Sequence, residues 1–195
     1  MEINVLAGPE RLKSLELPDR LNRAAAGAKR EMTDEILLLD LLNTTPIVEG
    51  TQRDNLDNAD AGRAWLAEHG QQPSVDEWQA LVGARNALQD VVRGRDRPPK
   101  LRPFIDGVAY RASLTEEGIA WAPDLPAGRT AAARAVLAWD KLRTDSPGRL
   151  RPCANPECRL FLIDHSKPNS ARWCSMAVCG NRMKARRHYQ RSRQA

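Results

Sequence analysis

Four cysteines carry the chemistry that the sequence states most plainly. Cys153, Cys158, Cys174 and Cys179 all lie in the last 43 residues of a 195-residue chain, spaced C-x4-C-x15-C-x4-C. Each close pair brings two sulfurs to one point, and the longer span lets the chain turn and return. Two disulfides or an iron–sulfur cluster would also use four cysteines. A single zinc ion in a closed shell of four thiolates fits the spacing best, and such a shell leaves no position for water, so the ion is expected to be structural.

The residues between the cysteines predict the elements that hold them. Cys153-Ala-Asn-Pro-Glu-Cys158 reads as a tight knuckle with Pro156 fixing φ. Leu160–Asp164 is strand-like, Ser166–Ser170 is a turn, and Ala171–Trp173 is expected to return toward Cys174 as the second arm of a hairpin. Ser175 is placed to N-cap a helix over Met176–Arg191 that carries Cys179 in its first turn. Knuckle, hairpin and helix in that order give a treble-clef zinc finger. A segment this short buries too little surface to fold alone, so the metal should supply much of its folding free energy.

Charge singles out that helix. Residues 151–195 hold ten Lys/Arg against two Asp/Glu, a net of +8. Residues 1–150 hold 20 against 23, a net of −3. No acidic residue follows Asp164. A solvated helix ordinarily mixes signs to gain i,i+4 pairs. A helix bearing Arg182, Lys184, Arg186, Arg187, His188 and Arg191 without one carboxylate therefore points to a polyanionic partner, DNA first. A protein- or RNA-interaction module is the alternative. RNA is disfavoured because few aromatics stand near the basic residues.

The rest of the chain reads as a mostly helical domain with a small β-sheet, so the fold class is α+β. Arg20–Met32 is Ala-rich and helix-compatible, and Glu35–Asn43 fits either a buried strand or a short helix. Asp57–His69 and Ser74–Gly94 predict helices, the second opened by a Ser74/Glu77 capping box. Arg97–Pro103 predicts a loop, Gly107–Leu114 with Ile119–Ala122 a hairpin, and Ala127–Arg143 a further helix. Ser146-Pro147-Gly148 marks a boundary, giving parts at 1–147 and 148–195. No phosphate loop or catalytic constellation is visible, so the protein is expected not to be an enzyme, and His69 is expected to be solvated. Ile36–Leu42, the most apolar run, is interrupted by Asp40 and falls far short of the ~20 residues needed to span a bilayer. With no signal-peptide pattern at Met1, the expected location is the cytoplasm and no membrane partner is expected.

Two stretches resemble known families. Cys174-Ser-Met-Ala-Val-Cys179-Gly180-Asn181-Arg182, followed by Lys184, Arg186, Arg187 and His188, is similar to the CGNR-type zinc finger, as is Arg151–Cys158 with Leu160-Phe161-Leu162. Leu37–Thr44, followed by Trp65-Leu66 and Gly70, looks like the ABATE domain that precedes such fingers. The resemblance implies a bacterial, stress-induced regulator of transcription. Its finger would bind DNA, and its N-terminal part would sense a small ligand or dock a protein such as the transcription machinery. Asp40 and Asn43 match the ABATE motif, either as part of that site or as braces for a buried element.

Overall fold

The computed structural model describes residues 34–193. The helix expected over Arg20–Met32 lies outside them. The described elements are helices with three separate two-stranded antiparallel sheets. No helix among these residues is long and apolar enough to cross a membrane.

Residues 34–42 form helix α1, which resolves the strand-or-helix ambiguity of the leucine run. Leu37, Leu38, Leu41 and Leu42 are buried while Ile36 is half exposed, the spacing of one helical face. A tight turn follows between β1 (Ile47–Val48) and β2 (Thr51–Gln52), with Glu49 at φ 52° and Gly50 at φ 81°. Positive φ at both central residues matches the twist of the flanking strands.

Helix α2 (Ala59–Glu68) begins at Asn58, whose side chain accepts a bond from the Ala61 N–H at 2.9 Å. It lies so close to α3 (Val75–Val92) that a Cβ on Gly62 would meet the Trp78 ring at 1.9 Å. Ser74 caps α3 by accepting from the Glu77 N–H at 3.2 Å. The other half of the expected capping box is absent. Glu77 instead turns inward, 2% exposed, and accepts from the N–H groups of Thr130 and Ala131 at 2.8 and 3.0 Å. Those are the first residues of α5 (Thr130–Asp145), so the carboxylate caps a different helix at the end where its dipole favours an anion.

Helix α3 is the central post. Its apolar residues Leu81, Ala84 and Leu88 are buried, and its buried polar ones fasten the end of α1. Gln89 donates to the Leu42 carbonyl and to Thr45 Oγ1, both at 2.8 Å. Arg85 grips Asp54 with two bonds of 2.5 and 2.8 Å and reaches Thr44 Oγ1 at 3.1 Å. Arg97–Pro103, expected as a loop, instead holds a 3-10 turn at Pro98–Leu101 that leads into α4 (Arg102–Ile105). The expected hairpin forms as β3 (Ala109–Thr115) and β4 (Gly118–Asp124).

Beyond Ser146-Pro147-Gly148 the chain forms β5 (Leu150–Pro152) and β6 (Phe161–Ile163), paired with each other. The strand within Leu160–Asp164 thus has β5 as its mate. Ala171–Trp173, expected as its partner, forms no strand. A distorted turn over Met176–Gly180 with i→i+5 bonding then runs into α6 (Asn181–Ser192).

Phe161 ties this last part to the body. It is 1% exposed and sits in the same core as Leu38, Leu42, Leu88 and Trp139. Asn43 accepts from the Phe161 N–H at 2.7 Å and donates to its carbonyl at 3.3 Å, occupying the place of a neighbouring strand. The Arg93 guanidinium lies 4.2 Å over the Phe161 ring and donates to the Arg159 carbonyl at 2.5 Å. Burial, and then the positive neighbours Arg95 and Arg159, lower Arg93 to about 10, which leaves it charged at neutral pH.

Candidate metal centre and basic helix

The first cysteine pair sits in the loop between β5 and β6. The Cys153 N–H donates to the Leu160 carbonyl at 2.8 Å and so closes that loop, while the Cys158 N–H donates to the Asn155 carbonyl at 2.8 Å. Asn155 is fully buried at the middle of the knuckle. Its Oδ1 accepts from the Glu157 N–H at 3.2 Å and its Nδ2 donates to Cys179 Sγ at 3.4 Å. One side chain therefore shapes the first knuckle and supports a sulfur from the second. The sequence reads this knuckle from Pro156 and gives Asn155 no role of its own.

Asp164, likewise unmarked in the sequence reading, organises the long span. It is buried and accepts from Ser166 N–H at 2.9 Å, Ala171 N–H at 2.7 Å and Arg151 Nη2 at 2.7 Å. Hydrogen bonds from Ser166, joined by those from Ala171 and the charge of Arg151, hold its carboxyl at about 2 despite its burial. The Asp-x-Ser spacing was the local signal for this turn. The turn returns the chain to Cys174, whose N–H donates to Cys153 Sγ at 3.4 Å.

Ser175 caps the second knuckle as expected, accepting from the Val178 N–H at 3.4 Å. The Gly180 N–H then reaches back five residues to the Ser175 carbonyl at 3.0 Å, and this widened turn buries Cys179. A Cβ on Gly180 would stand 2.7 Å from Met176 Sδ and 3.3 Å from Trp173 Cδ1, so the Met176 side chain would have to shift to admit it. Asn181 Nδ2 donates to the Ala177 carbonyl in the preceding turn at 3.3 Å.

The four sulfurs all lie within 4.8 Å of one another. Cys158 to Cys174 and Cys174 to Cys179 are each 3.7 Å. A tetrahedral ion bound at about 2.3 Å to each sulfur sets them ~3.8 Å apart, so the donor set fits zinc. As bare thiols, Cys158 and Cys174 resist ionisation. Burial, then the charge of Cys153, pushes Cys158 up to about 11, and burial with the neighbouring sulfurs raises Cys174 further. Cys179 lies below the ordinary thiol value: burial opposes this, and the Asn155 bond with the neighbouring thiols overcomes it. A divalent cation supplies the charge that stabilises four thiolates together. Residues 149–192 match the family model described as CGNR zinc finger. No curated protein matches the chain. The finger's four cysteines are thus positioned to coordinate one metal ion, consistent with a single structural zinc.

The basic residues divide into two groups. Arg182, Lys184, Arg187, His188 and Arg191 are all exposed on α6. Lys184, Arg187, His188 and Arg191 recur at i, i+3, i+4 and i+7 and so form one outward stripe. Arg186 is half-buried and turned to the knuckle, where it pairs with Glu157, whose carboxyl it holds below the usual range. Neither residue's part in this clamp follows from the sequence pattern.

Asp40 and Asn43 stay in the body, away from the cysteines. Asn43 holds β6 as described. Asp40 Oδ2 lies 3.2 Å from His69 Nε2, while His69 Nδ1 contacts the Trp65 carbonyl at 2.8 Å and its ring stacks on Trp65 at 3.7 Å. His69, expected to be solvated, is only 18% exposed in its side chain and joins two helices.

Proposed function

We propose that this protein binds duplex DNA through the exposed basic face of α6 and regulates transcription, with no catalytic activity of its own. The exposed stripe Lys184, Arg187, His188 and Arg191, flanked by Arg182, carries this reading. The charges crowd on one helix where no carboxylate follows in sequence, and a phosphate backbone supplies the counter-charge. Arg182 stands nearest the finger's metal end and is the best candidate for a base edge. In this reading the finger is a treble-clef variant, its knuckle set between β5 and β6, and zinc serves only to hold α6 in place. The family resemblance adds stress response and a sensing or docking role for residues 1–147, and the location in this reading is the cytoplasm, where thiols stay reduced.

The test is a salt titration of duplex binding by zinc-loaded protein. Four to five phosphate contacts give a slope of log affinity against log salt of about −3.6 to −4.5. Lys184→Ala or Arg191→Ala should flatten the slope by about one unit and weaken all sequences alike. Absence of duplex binding at low salt would sink the reading. The exposed Tyr189, 63% accessible beside Arg193, favours single-stranded RNA as the second reading, and competition by single strands would reveal it.

A further inference from the structure

The β3–β4 hairpin carries an apolar face that nothing among the described residues covers. Its register pairs Tyr110 with Pro123, Ala112 with Trp121 and Leu114 with Ile119. Directly paired residues of an antiparallel sheet share one face. None of these six is charged, and four are large and open: Tyr110 57%, Leu114 85%, Ile119 66% and Trp121 66% exposed. The opposite face holds the polar residues, including Arg111 paired with Asp124 at 2.6 Å. Scattered apolar residues on a surface are ordinary, but a continuous face rimmed by polar ones marks an interaction site.

We propose that this face is the dimer interface of the protein, closed by the same face of a second copy. The cross-strand pairs make it self-complementary. A two-fold axis lying parallel to the strands, above the line between β3 and β4, exchanges the two strands. It sets Trp121 over the partner's Ala112, Tyr110 over the partner's Pro123 and Leu114 over the partner's Ile119. Large thus meets small at the centre, a ring meets proline at one end, and two aliphatic side chains meet at the other. A flat face without charges gives a charged partner nothing to read. Aromatic side chains bury ~150–250 Å² each, so the two faces together remove on the order of 1,000 Å², the lower bound for a specific interface. Sheets stacked in this way pack about 10 Å apart.

Analytical ultracentrifugation of the full zinc-loaded chain tests the proposal. The expected species has twice the 21.7 kDa of one chain. Trp121→Asp and Leu114→Asp should each shift it to monomer while leaving the helical circular dichroism unchanged, because both side chains are exposed in the single copy. Arg111→Ala, on the other face, should leave it dimeric. A dimer that survives Trp121→Asp overturns the proposal by placing the interface elsewhere. A monomeric full chain also overturns it, and cross-links from the hairpin to residues 1–33 would then name that segment as what covers the face.

Discussion

At the scale of single residues, the sulfurs depend on neighbours that do not ligate. Asn155 is fully buried and its amide bonds Cys179, the arrangement by which outer partners orient a metal's ligands. Asn155→Ala should lower zinc affinity by about 10–100-fold, measured by competition with a chromogenic chelator. An unchanged affinity would reduce Asn155 to a turn former. Glu157, in the same knuckle, acts by holding Arg186. If DNA binding is the function, Glu157→Gln releases one more cation. Duplex affinity should then rise at low salt, and the salt slope should steepen by about one unit. A flat response would mean that Arg186 faces away from the nucleic acid.

At the scale of elements, helix ends are satisfied across the fold as well as locally. Ser74 offers one hydroxyl to α3, and its removal is expected to cost about 1 kcal/mol. Glu77 fastens two N–H groups of α5 from a buried position on α3, joining the two longest of the described helices. Glu77→Ala strands those donors and should cost about 1–3 kcal/mol, more than Ser74→Ala. Urea midpoints of the two variants give the comparison, and equal losses would show the inward carboxylate to be idle. Strand β6 is a similar bridge. Phe161→Ala opens a cavity between finger and body and should cost about 3–5 kcal/mol. Because Phe161 belongs to the body's own core, removing zinc with a chelator should also lower the thermal midpoint of the α-helical signal. A helical transition indifferent to chelation would show that the finger merely rests against the body.

Across the whole molecule, what the sequence made legible was what is written within a few residues. Cysteine spacing located the candidate metal centre, Ser175 located the turn that leads into α6, and the apolar periodicity of Ser74–Gly94 located α3. The capping pattern at Ser74 and Glu77 was half right, because one carboxylate can serve either of two helices and only packing decides between them. Leu160–Asp164 was legible as a strand, yet its mate was not, since three residues of β propensity pair equally well with any edge within reach. The bonds that join finger to body have no local signature at all. Asn43 and Phe161 lie 118 residues apart, and an asparagine after a leucine run reads as a helix end whether or not a strand waits beside it.

The widened turn at Met176–Gly180 fixes a rotational phase. Downstream of it α6 is regular, so each residue added or removed turns everything that follows by about 100° and moves it by about 1.5 Å. One alanine inserted between Cys179 and Lys184 would leave all four sulfurs where they are and carry every side chain of the stripe along, yet aim the stripe more than a quarter turn away. The same alanine placed after Arg191 would re-aim none of it. The orientation of the basic face relative to the body is therefore set in whole-residue steps by the short count from the last cysteine, and no adjustment of side chains can substitute for it.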